Sequence, residues 1–219
     1  MLHICRIILL SWAVSLDYSN AETRDPPSIL LLGDSQTARH LGKAFIQEFH
    51  DYKVTYYGKS GATHIDYLLS QKVKKTLSSL SCAKMIYVQL GDNGVPNKTS
   101  SIKKFVQVLQ TKCPGAKIYW GGPVKAVKPT RSSYYVTVTN RKSIRYLPRL
   151  NSIRRVWRDR LSRGLRSTGV VFVDNYKLQE AQPLESPFSD SRGGDGVHLT
   201  LRSARALAKL VRGIIETKD

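Results

Sequence analysis

The sequence is short of acidic residues, with 16 Asp and Glu against 35 Lys and Arg, which gives a formal net charge of +19. A positive field of this size raises the local concentration of anionic partners around the protein. Nucleic acid, anionic lipid surfaces and acidic wall or surface polymers are the partner classes that it favours. The charge alone does not choose among them.

Long apolar runs and metal-binding clusters are also scarce. The apolar run at 7–16 is ten residues long, whereas a membrane-spanning helix takes about 20. No group of His and Cys residues has the spacing of zinc ligands, which argues against a structural metal. The sequence also lacks internal repeats and low-complexity tracts. These absences predict a soluble mature protein without a metal and exclude a repeat architecture.

The N-terminus has the layout of a secretory signal peptide. A weakly basic start precedes the apolar run, and Ser19 and Ala21 are small residues at the −3 and −1 positions of a cleavage site. We therefore expect residues 1–21 to be a signal peptide and the mature protein to be secreted or periplasmic. The alternatives are an uncleaved anchor or a buried N-terminal strand. Cleavage removes Cys5 and leaves Cys82 and Cys113, an even pair that is a disulfide candidate in an oxidising compartment.

Residues 22–219 are predicted to form one domain in which strands alternate with helices. Apolar runs predict strands at 28–32, 54–57, 84–90, 116–120 and 169–173. Helical periodicity predicts helices at 37–49, 64–80, 100–111, 147–165 and 201–216. This alternation is typical of an α/β fold with a five-stranded parallel sheet and helices on both faces.

A basic insertion at about 125–166 separates the fourth and fifth predicted strands. Its first part predicts an exposed loop or a β excursion around 134–138, and its second part predicts a helix rich in arginine. These arginines form either a solvated face or a surface that binds an anionic polymer.

Polar residues follow the predicted strands at the places where ligands bind in parallel sheets. Ser35 follows the first strand, Gly61 the second and Asn93 the third, while Asp195 and His198 precede the last helix. Each is weak evidence alone, since serine commonly caps helices, asparagine shapes turns and histidine lies at surfaces. We expect the five residues to converge at the carboxyl edge of the sheet.

Taken together, the blocks at 33–36, 61, 91–94 and 195–198 resemble those of the SGNH (GDSL) hydrolase family, over residue 28 to the C-terminus. The resemblance implies a flavodoxin-like three-layer sandwich and a serine esterase that needs no cofactor and no metal. Ser35 would be the nucleophile, His198 its base and Asp195 the residue that orients the imidazole. The backbone N–H groups of Ser35 and Gly61 and the side-chain amide of Asn93 would form the oxyanion hole.

Several positions depart from the family pattern or compete with it. Gln36 replaces the Leu of the family name, and Gly58 competes with Gly61 for the oxyanion role. Gly94 follows Asn93, at a position where family members often have Asp. In this sequence an aspartate, Asp92, instead precedes Asn93. Relatives that modify O-acetyl groups of cell walls can carry Gly there, which favours that substrate class.

The other histidines and the two remaining cysteines receive structural interpretations. His40, His50 and His64 lack an Asp partner, and His64 is interpreted as a polar surface residue, with lining of the pocket as the alternative. In this fold the third and fourth strands are neighbours, and Cys82 and Cys113 precede them at the same end. A bridge between the two would lie opposite the active edge and would be structural.

The resulting hypothesis is a secreted esterase that removes acyl groups, favouring O-acetyl, from a cell-wall or surface glycan through an acyl-Ser35 intermediate. The basic insertion would hold the enzyme on its anionic polymer. The alternatives are a lipase or thioesterase in contact with a membrane surface, an acyltransferase with the same residues, and a non-catalytic scaffold that binds polyanions. Nucleic acid is disfavoured because the sequence has no recognised binding motif and has a signal peptide.

Overall fold

Five parallel strands form the centre of the fold, which a computed structural model describes for residues 26–97, 99–126, 146–181 and 198–217. In these ranges the strands lie in the order β2-β1-β3-β4-β5. Their bounds are β1 Ser28–Gly33, β2 Lys53–Gly58, β3 Met85–Gln89, β4 Lys117–Gly121 and β5 Val171–Val173. All four pairings are parallel. All the carboxyl ends therefore meet at one edge of the sheet.

Helices connect these strands and follow the last of them. A π-helical turn, Thr37–Leu41, continues into α1, Gly42–Glu48. The other helices are α2 His64–Leu69, α3 Gln71–Ser79, α4 Ser100–Lys112, α5 Tyr146–Leu165, α6 Asn175–Glu180 and α7 Leu201–Glu216.

The hydrophobic core lies on both faces of the sheet, because successive side chains of a strand point to opposite sides. Leu30 and Leu32 of β1 pack among residues of α2, α3, α4 and α5. Ile29 and Leu31 pack on the other face, among residues of α1 and α7. The central strand is accordingly apolar without alternation, as a strand covered on both sides must be. The predicted three-layer α/β sandwich with five parallel strands is confirmed.

The structure differs from the predicted elements in three places. The predicted helix at 64–80 is two helices, because Ser70 adopts an extended conformation and its side chain accepts a hydrogen bond from Val73 N to begin α3. The first helix starts with a π-helical turn, which periodicity does not distinguish from an α-helix. Helix α6 was not predicted, since six residues are too few to show a periodic pattern.

The disulfide between Cys82 and Cys113 is present, with the two Cα atoms 5.3 Å apart. It joins the segments that enter β3 and β4, at the amino edge of the sheet. The predicted bridge and its position opposite Ser35 are confirmed.

Other predictions fall outside the described ranges: the signal peptide at 1–21, the β excursion at 134–138 and Asp195. Within the ranges that the structure describes, none of the helices is both long enough and apolar enough to cross a membrane. The same ranges contain no group of three or more His, Cys, Asp and Glu residues placed to hold a metal ion.

Candidate active site

Ser35 and His198 meet at the carboxyl edge of the sheet. Ser35 begins the helical segment that follows β1, and its Oγ lies 2.9 Å from Nε2 of His198. The serine is 8% exposed, and His198 is partly buried just before α7. The fold therefore brings together two residues separated by 163 positions, in the geometry that a nucleophile and its base require. Asp195, the third predicted member, lies outside the described residues.

The turn that presents Ser35 depends on Gly33. A Cβ at this glycine would overlap with Thr37 Oγ1 and lie 2.8 Å from the carbonyl oxygen of Gln89. The next residue, Asp34, donates its N–H to that same carbonyl at 3.2 Å. The chain leaves the sheet here without room for a side chain, so the serine is held at the start of the π-helical turn. π-Helical turns are frequent at functional sites.

Gln36 ties the serine segment to the histidine segment. Its side-chain Oε1 accepts a hydrogen bond of 2.9 Å from the backbone N–H of Leu199, the residue after His198. Gln36 is 2% exposed and Leu199 is 8% exposed, so water does not readily replace this contact. From the sequence alone, Gln36 is only a departure from the family pattern. The structure shows that its amide contacts the segment that carries the histidine.

Asn93 and the turn at Gly61 lie beside the serine segment. The Asn93 Nδ2 atom donates to Asp34 Oδ2 at 3.2 Å and to the Ala62 carbonyl at 3.2 Å. Both amide hydrogens are thus engaged, one of them by the residue that precedes Ser35. Gly61, with φ of +74°, is in the turn closed by Ala62 N–H donating to Lys59 O. The blocks predicted to form the oxyanion hole are therefore in contact through these hydrogen bonds.

Gly58 has a different surrounding from Gly61. It ends β2 in register with Gly33, and a Cβ there would overlap with the backbone N of Ala38 in the π-helical turn. Gly61 has open space where a Cβ would be, and the turn needs glycine there because of its positive φ. Gly58 therefore permits close packing, whereas Gly61 shapes the exposed turn.

Two buried carboxylates lie behind the site. Asp34 is 0% exposed, and burial together with the charge of Asp92 raises its pKa well above the ordinary value. Burial also raises the pKa of Asp92, while the charge of Arg154 lowers it. Arg154 is 1% exposed, and its Nη2 lies 3.4 Å from Asp92 Oδ1. This arginine belongs to the Arg-rich helix, so at this position neither sequence interpretation, a solvated face or a polymer-binding surface, is correct.

A chain of buried hydrogen bonds extends from Asp92 under the sheet edge. Gln89 Nε2 donates to Asp92 Oδ2 at 3.3 Å, and Asn175 Nδ2 donates to Gln89 Oε1 at 2.7 Å. Tyr87 donates its hydroxyl to Asn175 Oδ1 at 3.3 Å. A Cβ at Gly121 would lie 2.5 Å from both amide groups of this chain, so glycine is needed there. The network connects the loop of Asn93 to β3 and α6.

His64 is not the polar surface residue that the sequence suggested. It is 2% exposed, and its Nε2 lies 2.9 Å from Ser101 Oγ of α4. Its ring is also in edge contact with Trp120, at 6.2 Å between centroids. Burial lowers the pKa of His64 to about 4, so the ring is neutral at neutral pH. It forms a second serine–histidine contact, away from Ser35.

No protein-family model matches the sequence, and no curated protein matches it either. The structure is nevertheless similar to solved structures over most of its length. A lipase/acylhydrolase from Enterococcus faecalis has a TM-score of 0.57 at 17% identity, with 88% of this chain and 96% of that chain covered. A carbohydrate acetylesterase from Sinorhizobium meliloti has a TM-score of 0.60 at 14% identity, covering 88% and 100%. An inhibitor-bound aryl esterase from M. smegmatis has a TM-score of 0.58 at 15% identity, covering 87% and 99%.

Identities this low establish the fold alone. The chain has the fold of these ester hydrolases, and the fold that the SGNH resemblance implied is thereby confirmed.

Proposed function

We propose that this chain is a serine ester hydrolase with Ser35 as its nucleophile. The observation that carries the proposal is the 2.9 Å contact between Ser35 Oγ and His198 Nε2 at the carboxyl edge of the sheet. A serine hydroxyl needs a base within this distance, because it is a poor nucleophile by itself. The solved structures with the same fold include an acylhydrolase and two esterases, which supports the same reaction class.

In the proposed reaction, Ser35 Oγ attacks the ester carbonyl carbon while its proton passes to His198 Nε2. The tetrahedral intermediate collapses when the imidazolium returns that proton to the leaving alcohol, which leaves an acyl-Ser35 ester. Water then attacks this ester with the imidazole as base, and the carboxylic acid leaves. Asp195 is assigned the role of accepting the other ring N–H and holding the tautomer.

The oxyanion would be stabilised by the backbone N–H groups of Ser35 and Gly61 and by the Asn93 amide. In the resting structure the two Asn93 hydrogens bind Asp34 and the Ala62 carbonyl. The bond to Ala62 is the one available for exchange, since its acceptor is a neutral carbonyl, whereas a carboxylate at Asp34 holds the other hydrogen more strongly. One amide hydrogen would turn from Ala62 to the oxyanion as negative charge develops.

The substrate that we propose is an acylated, anionic glycan of a cell wall or surface, with O-acetyl as the acyl group. The field near the site supports an anionic partner. The pKa of His40 is lowered by partial burial and by the charges of Arg39, Lys43 and His198, so cations lie close to the proposed base. The net charge of +19 acts in the same direction over a longer range. A carbohydrate acetylesterase among the similar structures supports the sugar.

A lipid acyl hydrolase is the second candidate, because a lipase/acylhydrolase is also among the similar structures. A basic surface would then contact anionic head groups. We propose secretion in either case, with residues 1–21 as the signal peptide and 22–219 as a single domain. The disulfide supports this, since such bonds persist in oxidising compartments.

The first experiment measures hydrolysis of p-nitrophenyl acetate by the wild type and by Ser35→Ala. We expect kcat to fall by at least about a thousandfold, because loss of a catalytic serine removes the covalent route. The matched control is Ser101→Ala, which removes a serine that contacts another histidine, the buried His64, at the same 2.9 Å distance. Equal activity in the wild type and Ser35→Ala would refute the proposal.

The second experiment identifies the acyl acceptor. Acetate release is measured from a panel of O-acetylated wall and surface polysaccharides, beside p-nitrophenyl esters of increasing acyl length. Release from an anionic polysaccharide that weakens with added salt is the expected result. A preference for long acyl chains without acetate release would favour the lipid candidate.

A further inference from the structure

Helix α5 carries many arginines, but Arg154 differs from the exposed ones on the same helix. Its side chain is 1% exposed, whereas its neighbour Arg155 is exposed. Nη1 donates to the Val124 carbonyl at 2.7 Å, and Nη2 lies 3.4 Å from Asp92 Oδ1. A buried guanidinium therefore connects the inserted helix to the residue that precedes Asn93.

Helix α5 has two further contacts with the same loop. Arg160 Nη1 donates to the Val95 carbonyl at 3.2 Å, and a Cβ at Gly94 would lie 3.9 Å from Trp157 Cζ2. The loop of Asn93 is thus bounded by the inserted helix on one side and by Asp34 on the other.

The hydrogen-bond partners of Asp34 and Asp92 suit the ionised form of both carboxyl groups, although burial raises the pKa of each. Asp34 accepts from Gln36 N–H through Oδ1 and from Asn93 Nδ2 through Oδ2. Asp92 accepts from Val124 N–H through Oδ1 and from Gln89 Nε2 through Oδ2. These partners are all donors, and a carboxyl proton would need an acceptor instead.

Two buried carboxylates so close together disfavour each other's charge. Among the described residues, Arg154 is the cation in contact with the pair. His198 acts on Asp92 over a longer distance, and its charge changes during the proposed reaction. Of the described residues, the buried phenols of Tyr67 and Tyr87 also face the pair, and they stay neutral because burial raises the pKa of both.

We propose that Arg154 is a positioning residue for the reaction: it keeps Asp34 and Asp92 ionised together, so that Asp34 holds the Asn93 amide for the oxyanion. Without this guanidinium, one carboxyl group takes up a proton at a higher pH than in the wild type and becomes a donor. Asn93 then loses a fixed acceptor and its amide is free to rotate. The expected effect of Arg154 on the reaction rate rests on the proposed function. Its expected effect on the protonation of Asp34 and Asp92 does not.

The test compares Arg154→Met with Arg154→Lys, which keeps the charge, and with the double variant Arg154→Met/Asp92→Asn, which removes one carboxylate as well. For hydrolysis of p-nitrophenyl acetate, we expect Arg154→Met to lower kcat at pH 7 about tenfold, equal to a shift of the acid limb by about one pH unit. The KM should change little, and the rate should recover at higher pH. Both other variants should restore the wild-type pH profile, which a purely structural role would not produce.

The second measurement does not depend on activity. NMR spectra follow the side-chain amide of Asn93 between pH 5 and pH 8. We expect the Asn93 amide to titrate at a higher pH in Arg154→Met than in the wild type, and the double variant to abolish this difference. An Asn93 amide unchanged in Arg154→Met would overturn the inference, as would a double variant no better than the single one. If Arg154→Met does not fold, the comparison between Arg154→Lys and the double variant decides: a shifted acid limb in either one overturns the inference.

If the wild type hydrolyses no ester, the proposed function fails while the NMR measurement still tests the inference. If Ser35→Ala is inactive and the pH profile of Arg154→Met is that of the wild type, only the inference fails.

Discussion

The buried His64 makes the stability of the fold depend on pH in a way that one substitution can isolate. Burial lowers the pKa of its imidazole to about 4, below the value of about 6.5 that the ring has in an unfolded chain. Between these two values the unfolded chain binds a proton that the folded chain does not. The contribution of His64 to folding is therefore fully present above pH 6.5 and is lost as the pH falls towards 4.

The size of this loss follows from the difference between the two pKa values. One pKa unit corresponds to about 1.4 kcal/mol, so a depression of about 2.5 units amounts to roughly 3 kcal/mol between pH 7 and pH 4. With an exposure of 2%, the ring is not screened by solvent. The buried Asp34 and Asp92 act in the opposite direction, because their raised pKa values favour proton uptake by the folded chain. Only the difference between variants isolates the histidine.

The assay is urea unfolding of the wild type and His64→Gln at pH 7, 5.5 and 4.5. Glutamine keeps a hydrogen-bonding group near Ser101 but does not titrate. The stability difference between the two proteins should shrink as the pH falls, by about 2 to 3 kcal/mol at the lowest pH. His50→Gln is the control, because it makes the same replacement at an exposed histidine. A constant difference between the wild type and His64→Gln would refute the reasoning.

Two further predictions concern a covalent link and a hydrogen bond. Replacing both Cys82 and Cys113 by alanine should lower the free energy of unfolding by about 3 to 4 kcal/mol in the loop-entropy description, because the bridge closes a loop of 31 residues. Urea unfolding measures this loss, and intact mass without reduction should show no free thiol on the pair. Gln36→Leu should cost about 1 to 3 kcal/mol of stability by leaving Leu199 N–H buried without an acceptor. It should also lower kcat for p-nitrophenyl acetate by displacing His198. A kcat of Gln36→Leu equal to that of the wild type would contradict this role.

The fold was predictable because a parallel sheet covered on both faces produces a strong signal in the sequence. Its central strand β1 is apolar from Ile29 to Leu32, and its longer helices have a clear apolar side. The closing helix, Leu201–Glu216, has the bounds that its periodicity predicted. What periodicity missed depends on single residues. Ser70 divides one predicted helix into α2 and α3 by a local choice of backbone angle.

The contact between Ser35 and His198, which are far apart in the sequence, was predictable. The contact made by Gln36, the residue next to Ser35, was not. Ser35 and His198 were predicted from blocks that follow or precede regular elements, because topology alone brings such positions to one edge. Gln36 is adjacent to the serine, yet its role was missed. No sequence pattern predicts a hydrogen bond between a side chain and the backbone of Leu199. His64 was misplaced for a related reason: a histidine at the start of a helix can face either the solvent or the core.

The burial of Arg154 could have been predicted from its position in the helix, although the basic composition of the insertion suggested an exposed residue. Counted among the arginines of a basic insertion, it is one more positive charge on a solvated helix. Its spacing gives a different result, since Leu150, Arg154 and Leu161 are related by helical turns and all three are buried. Val156, an apolar residue of the same helix, is 44% exposed. A charged residue within the buried stripe of a helix needs a partner of opposite charge, and Asp92 supplies it beside the loop of Asn93. The insertion is thus joined to the proposed oxyanion hole by a charge pair.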